Sequence, residues 1–161
     1  MKIGKVIIGK QGESSEQYNE FCEIVRERQI STVIVRQGDI INIEKDMKLK
    51  VLFPEEQLIS ENILNNNSLV MKLEYKSFSM LFTGDIEKIA EKELLKMYSK
   101  EELNSDILKV AHHGSKSSSS LEFLQNIMPS IAIIGVGENN NFGHPNRGVL
   151  QRLDDIRSKS L

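Results

Sequence analysis

This chain of 161 residues has three histidines, and each stands in a polar segment that follows an apolar run. His112 and His113 occur in Ala111-His112-His113-Gly114-Ser115, after the run that begins at Ile107. His144 occurs in Asn141-Phe142-Gly143-His144-Pro145, beyond Ile131-Ala132-Ile133-Ile134. A further apolar run ends in Thr83-Gly84-Asp85. A carboxylate such as Asp85 has two oxygens and can bridge two divalent cations, while a neutral imidazole offers one directional nitrogen suited to zinc, manganese or iron. Cations held in this way lower the pKa of a shared water and clamp a phosphate oxygen, which suits phosphodiester hydrolysis. Adjacent strand residues point to opposite faces, so His112 and His113 are not expected to bind one metal unless the strand has already ended. His112 is the expected ligand beside Asp85. His113 is then expected to orient that ligand or to protonate the leaving oxygen. Plainer readings exist for each motif: Gly84-Asp85 can be a turn with Asp85 capping a helix, and Gly143-His144-Pro145 a rigid turn.

These residues need a sheet to carry them. Lys5 to Ile8, Thr32 to Val35, Ile40 to Ile43 and Leu49 to Phe53 read as strands. A helix is expected from Ser15 to about Arg28, with Ser14 and Gln17 spaced as a capping box. Glu55 to Asn67 reads as a loop. Ser68 to Leu73 and Phe78 to Phe82 read as a hairpin around residues 74–77. Ile86, Ile89, Ala90, Leu94 and Met97 make one apolar helix stripe. Ile107 to Ala111 is expected as the strand that delivers the two histidines. Ser117 to Ser120 reads as a flexible loop rather than a phosphate cradle, and leads into a helix with Ser119 and Glu122 as its capping box. Ile131 to Ile134 is the last expected strand and Val149 to Ile156 the last helix. Strands, a hairpin and helices in this order predict an α/β layered domain.

Composition sets limits. The length fits one domain, and 27% charged with 39% hydrophobic residues is ordinary for a globular protein. No apolar run is long enough to cross a bilayer, so no membrane segment is expected. The single cysteine, Cys22, is expected in the core and excludes an internal disulfide. A net charge of -2 does not describe a dedicated nucleic-acid binder, although Lys109, Lys116, Arg147 and Arg152 can form a local basic patch.

Taken together, Asn65 to Val70, Leu81 to Asp85, Leu108 to Ser115 and Gly143-His144-Pro145 resemble, in order and context, the metallo-β-lactamase-like domain of ComEC-type competence proteins. The resemblance covers roughly Lys5 to Ile156. It implies an αββα sandwich of the metallo-hydrolase type, a nuclease activity dependent on zinc or manganese, DNA as partner, and attachment in the parent family to a membrane channel for DNA uptake. It matches Asp85 to the metal-bridging aspartate, the His112-His113 pair to the late histidine motif, and His144 to a histidine near the substrate mouth. His144 is thereby a candidate for catalysis and for binding. Asn67, Ser68, Ser115 and Lys116 are the further substrate-binding candidates. The superfamily's early H-x-H-x-D-H type motif has no counterpart, because no histidine precedes His112. The expectation is therefore a domain truncated at its N-terminus and short of its closing strand, with a partial metal site, weak or absent activity alone, and self-association through exposed sheet surface. The alternative is a catalytically silent binding or assembly module.

Overall fold

Strand register places Leu81, Leu108 and Ala132 in one row of a sheet, so the segments that follow them open on the same edge. The computed structural model describes residues 3–10, 12 and 15–161. Its elements run β1 (Lys5–Gly9), α1 (Glu16–Glu27), β2 (Ser31–Val35), β3 (Ile40–Glu44), β4 (Met47–Phe53), α2 (Ile63–Asn66), β5 (Val70–Tyr75) and β6 (Phe78–Phe82). There follow α3 (Lys88–Met97), α4 (Lys100–Leu103), β7 (Ile107–Lys109), a 3-10 turn (Ala111–Gly114), α5 (Leu121–Ile127), β8 (Ile131–Ile133), α6 (Arg147–Asp155) and β9 (Lys159–Ser160). A seven-stranded sheet has the order β3-β4-β5-β6-β7-β8-β9, and β1 with β2 forms a separate parallel pair. From β3 to β6 the pairing is antiparallel, which tight turns can connect. From β6 to β9 it is parallel, and each crossover carries a helix. The carboxyl ends of parallel strands share one edge, where open α/β sheets bind their ligands.

The apolar stripes explain how the helices sit. Ala90 and Leu94 of α3, Phe123, Leu124 and Ile127 of α5, and Val149 and Leu153 of α6 join Leu81, Leu108 and Ala132 in one buried cluster. By contrast α1 buries no residue fully. Ile34 of β2 is 65% exposed and Ile40 of β3 is 55% exposed. Cys22 is only half-buried rather than in the core. No helix among the described residues is long and apolar enough to cross a membrane.

Several expected boundaries move for identifiable reasons. The strand expected through Ala111 stops at Lys109, because the chain then turns with His112 and His113 both at positive φ. Ser120, not Ser119, caps α5 by accepting the Phe123 N–H, since Ser119 is itself at positive φ and gives its N–H to Glu91. Ser14 lies outside the described residues, and Ser15 fills the cap of α1. Asp85 is not a helix cap, as Glu87 occupies that position before α3. The loop expected over residues 55–67 contains α2, and a short strand, β9, follows α6.

Candidate active site

Glycine lets the end of β6 press against residue 68. Gly84 has φ +53, and a Cβ there would lie 2.6 Å from Ser68 Cβ. The Ser68 hydroxyl accepts the Asp85 N–H at 3.1 Å, and Asn66 Oδ1 accepts the Glu87 N–H at 3.0 Å. Thr83, fully buried, donates its hydroxyl to the Lys109 carbonyl at 2.6 Å, and the Gly84 carbonyl accepts the His112 N–H at 3.0 Å. The backbone after β6 is thereby tied to the backbone after β7.

His112 (φ 47) and His113 (φ 55) are both left-handed. Such conformations cost of order 1–3 kcal/mol each and persist only where the surroundings enforce them. Gly114, at φ +77, supplies part of that enforcement. A Cβ there would meet Pro145 Cβ at 2.8 Å, and its carbonyl accepts the Asn146 N–H at 2.9 Å. Because the strand has ended, the two rings are not sent to opposite faces of the sheet. Both lie on the same rim with different partners.

The carboxylate faced by His113 is Asp85, with Nε2 to Oδ2 at 3.8 Å. His112 instead has Nδ1 3.6 Å from Glu87 Oε1. The expected pairing of Asp85 with His112 is thus shifted by one residue, a consequence of the left-handed turn that strand alternation does not describe. His113 Nδ1 lies 2.6 Å from the Gly135 carbonyl. A carbonyl only accepts, so Nδ1 carries the proton and Nε2 is left to act toward Asp85. Glu87 was not singled out from the sequence, although it stands two residues beyond Asp85 in a non-helical segment, the spacing that returns a side chain to the same side. Burial pushes its carboxyl up, but hydrogen bonds from Ser117 and Asn62 and the nearby His112 outweigh this and hold it below the usual glutamate range.

His144 completes the rim from the loop after β8. Its ring stands edge-on to His112 at 5.9 Å between centroids. Burial, then the neighbouring His112 and His113, hold it below the usual histidine value. The other expected residues divide. Asn67 is buried, and its amide is used on the loop below, accepting from Ile59 N–H at 2.9 Å and donating to the carbonyls of Ile59 and Ile63. Ser115 is buried with its hydroxyl 3.0 Å from that of Ser117. Lys116, in the loop that follows the histidine pair, and Arg147, at the start of α6 just beyond His144, are both exposed. The basic patch is smaller than expected, because Lys109 donates to the Val110 carbonyl and Arg152 to those of Ser118 and Ser119.

The donor set is suggestive but incomplete for a metal. Nδ1 of His112 and of His144 are buried without a hydrogen-bond partner, as atoms awaiting a ligand would be. Yet among the described residues no three His, Cys, Asp or Glu side chains converge into a metal-holding group. These residues therefore do not make a complete centre by themselves.

No family model matches the chain. ComE operon protein 3 of Bacillus subtilis is 37% identical over 152 residues, covering 94% of this chain and 19% of that protein. Recombination protein 2 of Haemophilus influenzae is 35% identical over 94 residues, 58% of this chain and 11% of that protein. The chain is a relative of the ComEC-type metallo-β-lactamase-like domain. It spans about a fifth of the length of ComE operon protein 3. Among solved structures, a protein from Parabacteroides distasonis assigned as a metal-dependent hydrolase superposes with a TM-score of 0.55 at 12% identity, over 96% of this chain and 74% of that one. The α/β architecture is accordingly that of the metallo-hydrolase fold.

Proposed function

We propose that this chain is part of a competence-type DNA hydrolase, contributing Asp85 and the histidine rim to a zinc or manganese centre whose remaining ligands come from another segment or a partner. The observation that carries this reading is the convergence of Asp85, His112, His113 and His144, from three successive strand ends, on the carboxyl edge of the sheet. Cleavage of a phosphodiester joins a water oxygen to phosphorus and breaks the bond to the leaving sugar oxygen, which must receive a proton. His113 is the donor in this reading. Its Nδ1–H is engaged by the Gly135 carbonyl, which leaves Nε2, beside Asp85, as the ring atom through which a proton can pass to the leaving oxygen. Ser68 holds Asp85 through its backbone, and Glu87 lies 3.6 Å from His112 Nδ1. Lys116 and Arg147 offer the phosphate backbone its counter-charge.

Alone, the chain is expected to hydrolyse DNA weakly or not at all. Fusing to its N-terminus the segment of ComE operon protein 3 that precedes the aligned region is expected to confer manganese-dependent hydrolysis of DNA, at least a hundredfold above the unfused chain. Asp85→Ala in the fusion abolishes it. Full activity in that variant would overturn the assignment.

A second reading, a catalytically silent binding or assembly module, is favoured by the missing three-ligand group among the described residues. In it the exposed Ile34 and Ile40 serve association with a second copy. Near-stoichiometric zinc or manganese retained by the purified chain would contradict that reading.

A further inference from the structure

Phe142 does nothing for the core, being 82% exposed. The loop that presents it is nonetheless built. Asn140 Nδ2 donates to the carbonyls of Gly137 at 3.1 Å and His144 at 2.8 Å, and its Oδ1 accepts the His144 N–H at 3.0 Å. Gly143, at φ +68, completes the turn. Phe142 thus stacks beside the His144 ring, with centroids 5.9 Å apart and planes inclined by 21°, while most of its own surface stays exposed. With His113, Gly135, Asn140 and His144 it lines a pocket of ≈ 470 Å³, within the range of small-molecule sites. His113 in this pocket is the ring whose Nε2 faces Asp85. Asp85 does not line the pocket, but His113 borders both the pocket and Asp85.

We propose that this pocket takes an unstacked nucleobase on the exposed ring of Phe142, beside the phosphodiester at the Asp85–His113 edge, and that the site is thereby selective for single-stranded DNA. The identity of the ligand rests on the DNA-hydrolase reading above; the planar aromatic site does not. Every base has a π-face, so stacking of this kind is tolerant of sequence. Glycines at 135 and 137 flank Val136 on the wall and leave the backbone at those two positions open to the edge of a flat ring. A base inside a duplex already has both faces covered and cannot reach Phe142 without being extruded.

The chain contains no tryptophan, so Phe142→Trp places its only indole at the stacking position. In EDTA, an oligothymidylate is expected to quench the fluorescence of the Phe142→Trp variant, while a blunt duplex of the same length leaves it unchanged. Phe142→Ala is expected to weaken oligothymidylate binding, read by anisotropy, roughly tenfold, with duplex binding and melting temperature unaltered. Absence of quenching, undiminished oligothymidylate affinity in Phe142→Ala, or an equal loss toward duplex would each overturn the proposal. Stacking without hydrolysis by any form of the chain would leave it standing and remove the hydrolase reading. Hydrolysis indifferent to Phe142 would do the reverse.

Discussion

The geometry of the rim depends on single residues that permit unusual backbone. Gly114 and Gly143 are both left-handed, but a Cβ on Gly114 would collide with Pro145, whereas one on Gly143 would meet nothing within 4 Å. Gly143→Ala is therefore expected to cost only the conformational penalty, about 1–2 kcal/mol. Gly114→Ala adds the displacement of Pro145 and is expected to cost about 3 kcal/mol or more, read as a difference in urea midpoints. It should also shift the NMR resonances of His112, His113 and His144 together, which Gly143→Ala should not. The residue types were legible in the sequence: Asp85 and all the histidines do reach one edge. Their pairing was not, because strand alternation assigns adjacent residues to opposite faces and cannot anticipate two consecutive positive φ values at His112 and His113.

At the scale of elements, the serine-rich segment before α5 is held far more firmly than its composition suggests. Glu91, fully buried on α3, accepts the N–H groups of Ser119 and Ser120, and Arg152 of α6 binds the carbonyls of Ser118 and Ser119. Ser118 donates to the Ile86 carbonyl at 2.8 Å, and Ser117 to Glu87. Two helices, α3 and α6, thus clamp the loop that leads from the histidine pair into α5. Glu91→Ala leaves two N–H groups without an acceptor and is expected to destabilise by about 3 kcal/mol, while Glu91→Gln, which keeps one acceptor, should cost about half as much in urea unfolding. Equal stability of Glu91→Ala and the parent would show that the clamp is dispensable. The helix stripe of α3 is legible in the sequence, whereas the firm hold on Ser117 to Ser120 is not, since a long-range acceptor such as Glu91 leaves no local signature. Hairpin and helix positions followed from periodicity, while their ends moved by a few residues, as caps at Ser15, Glu87 and Ser120 depend on contacts as well as on residue type.

Across the whole molecule, the ordered βα crossovers bring the ends of β6, β7 and β8 to one edge and leave the β1–β2 pair and α1 with exposed apolar residues. The first of these features is what a hydrolase needs, and the relationship to ComE operon protein 3 extends over nearly the entire chain. In the function proposed, Asp85 holds the cation at this edge and His113 stands beside it as the proton donor. Titration of the isotopically labelled chain with manganese, followed by paramagnetic broadening in NMR spectra, tests it most directly. Weak binding is expected, lost on dialysis, with broadening centred on Asp85, His113 and the Gly135 to His144 loop and removed by Asp85→Ala. Broadening centred elsewhere, such as on the acidic surface of α1, or unchanged in Asp85→Ala, would contradict the account.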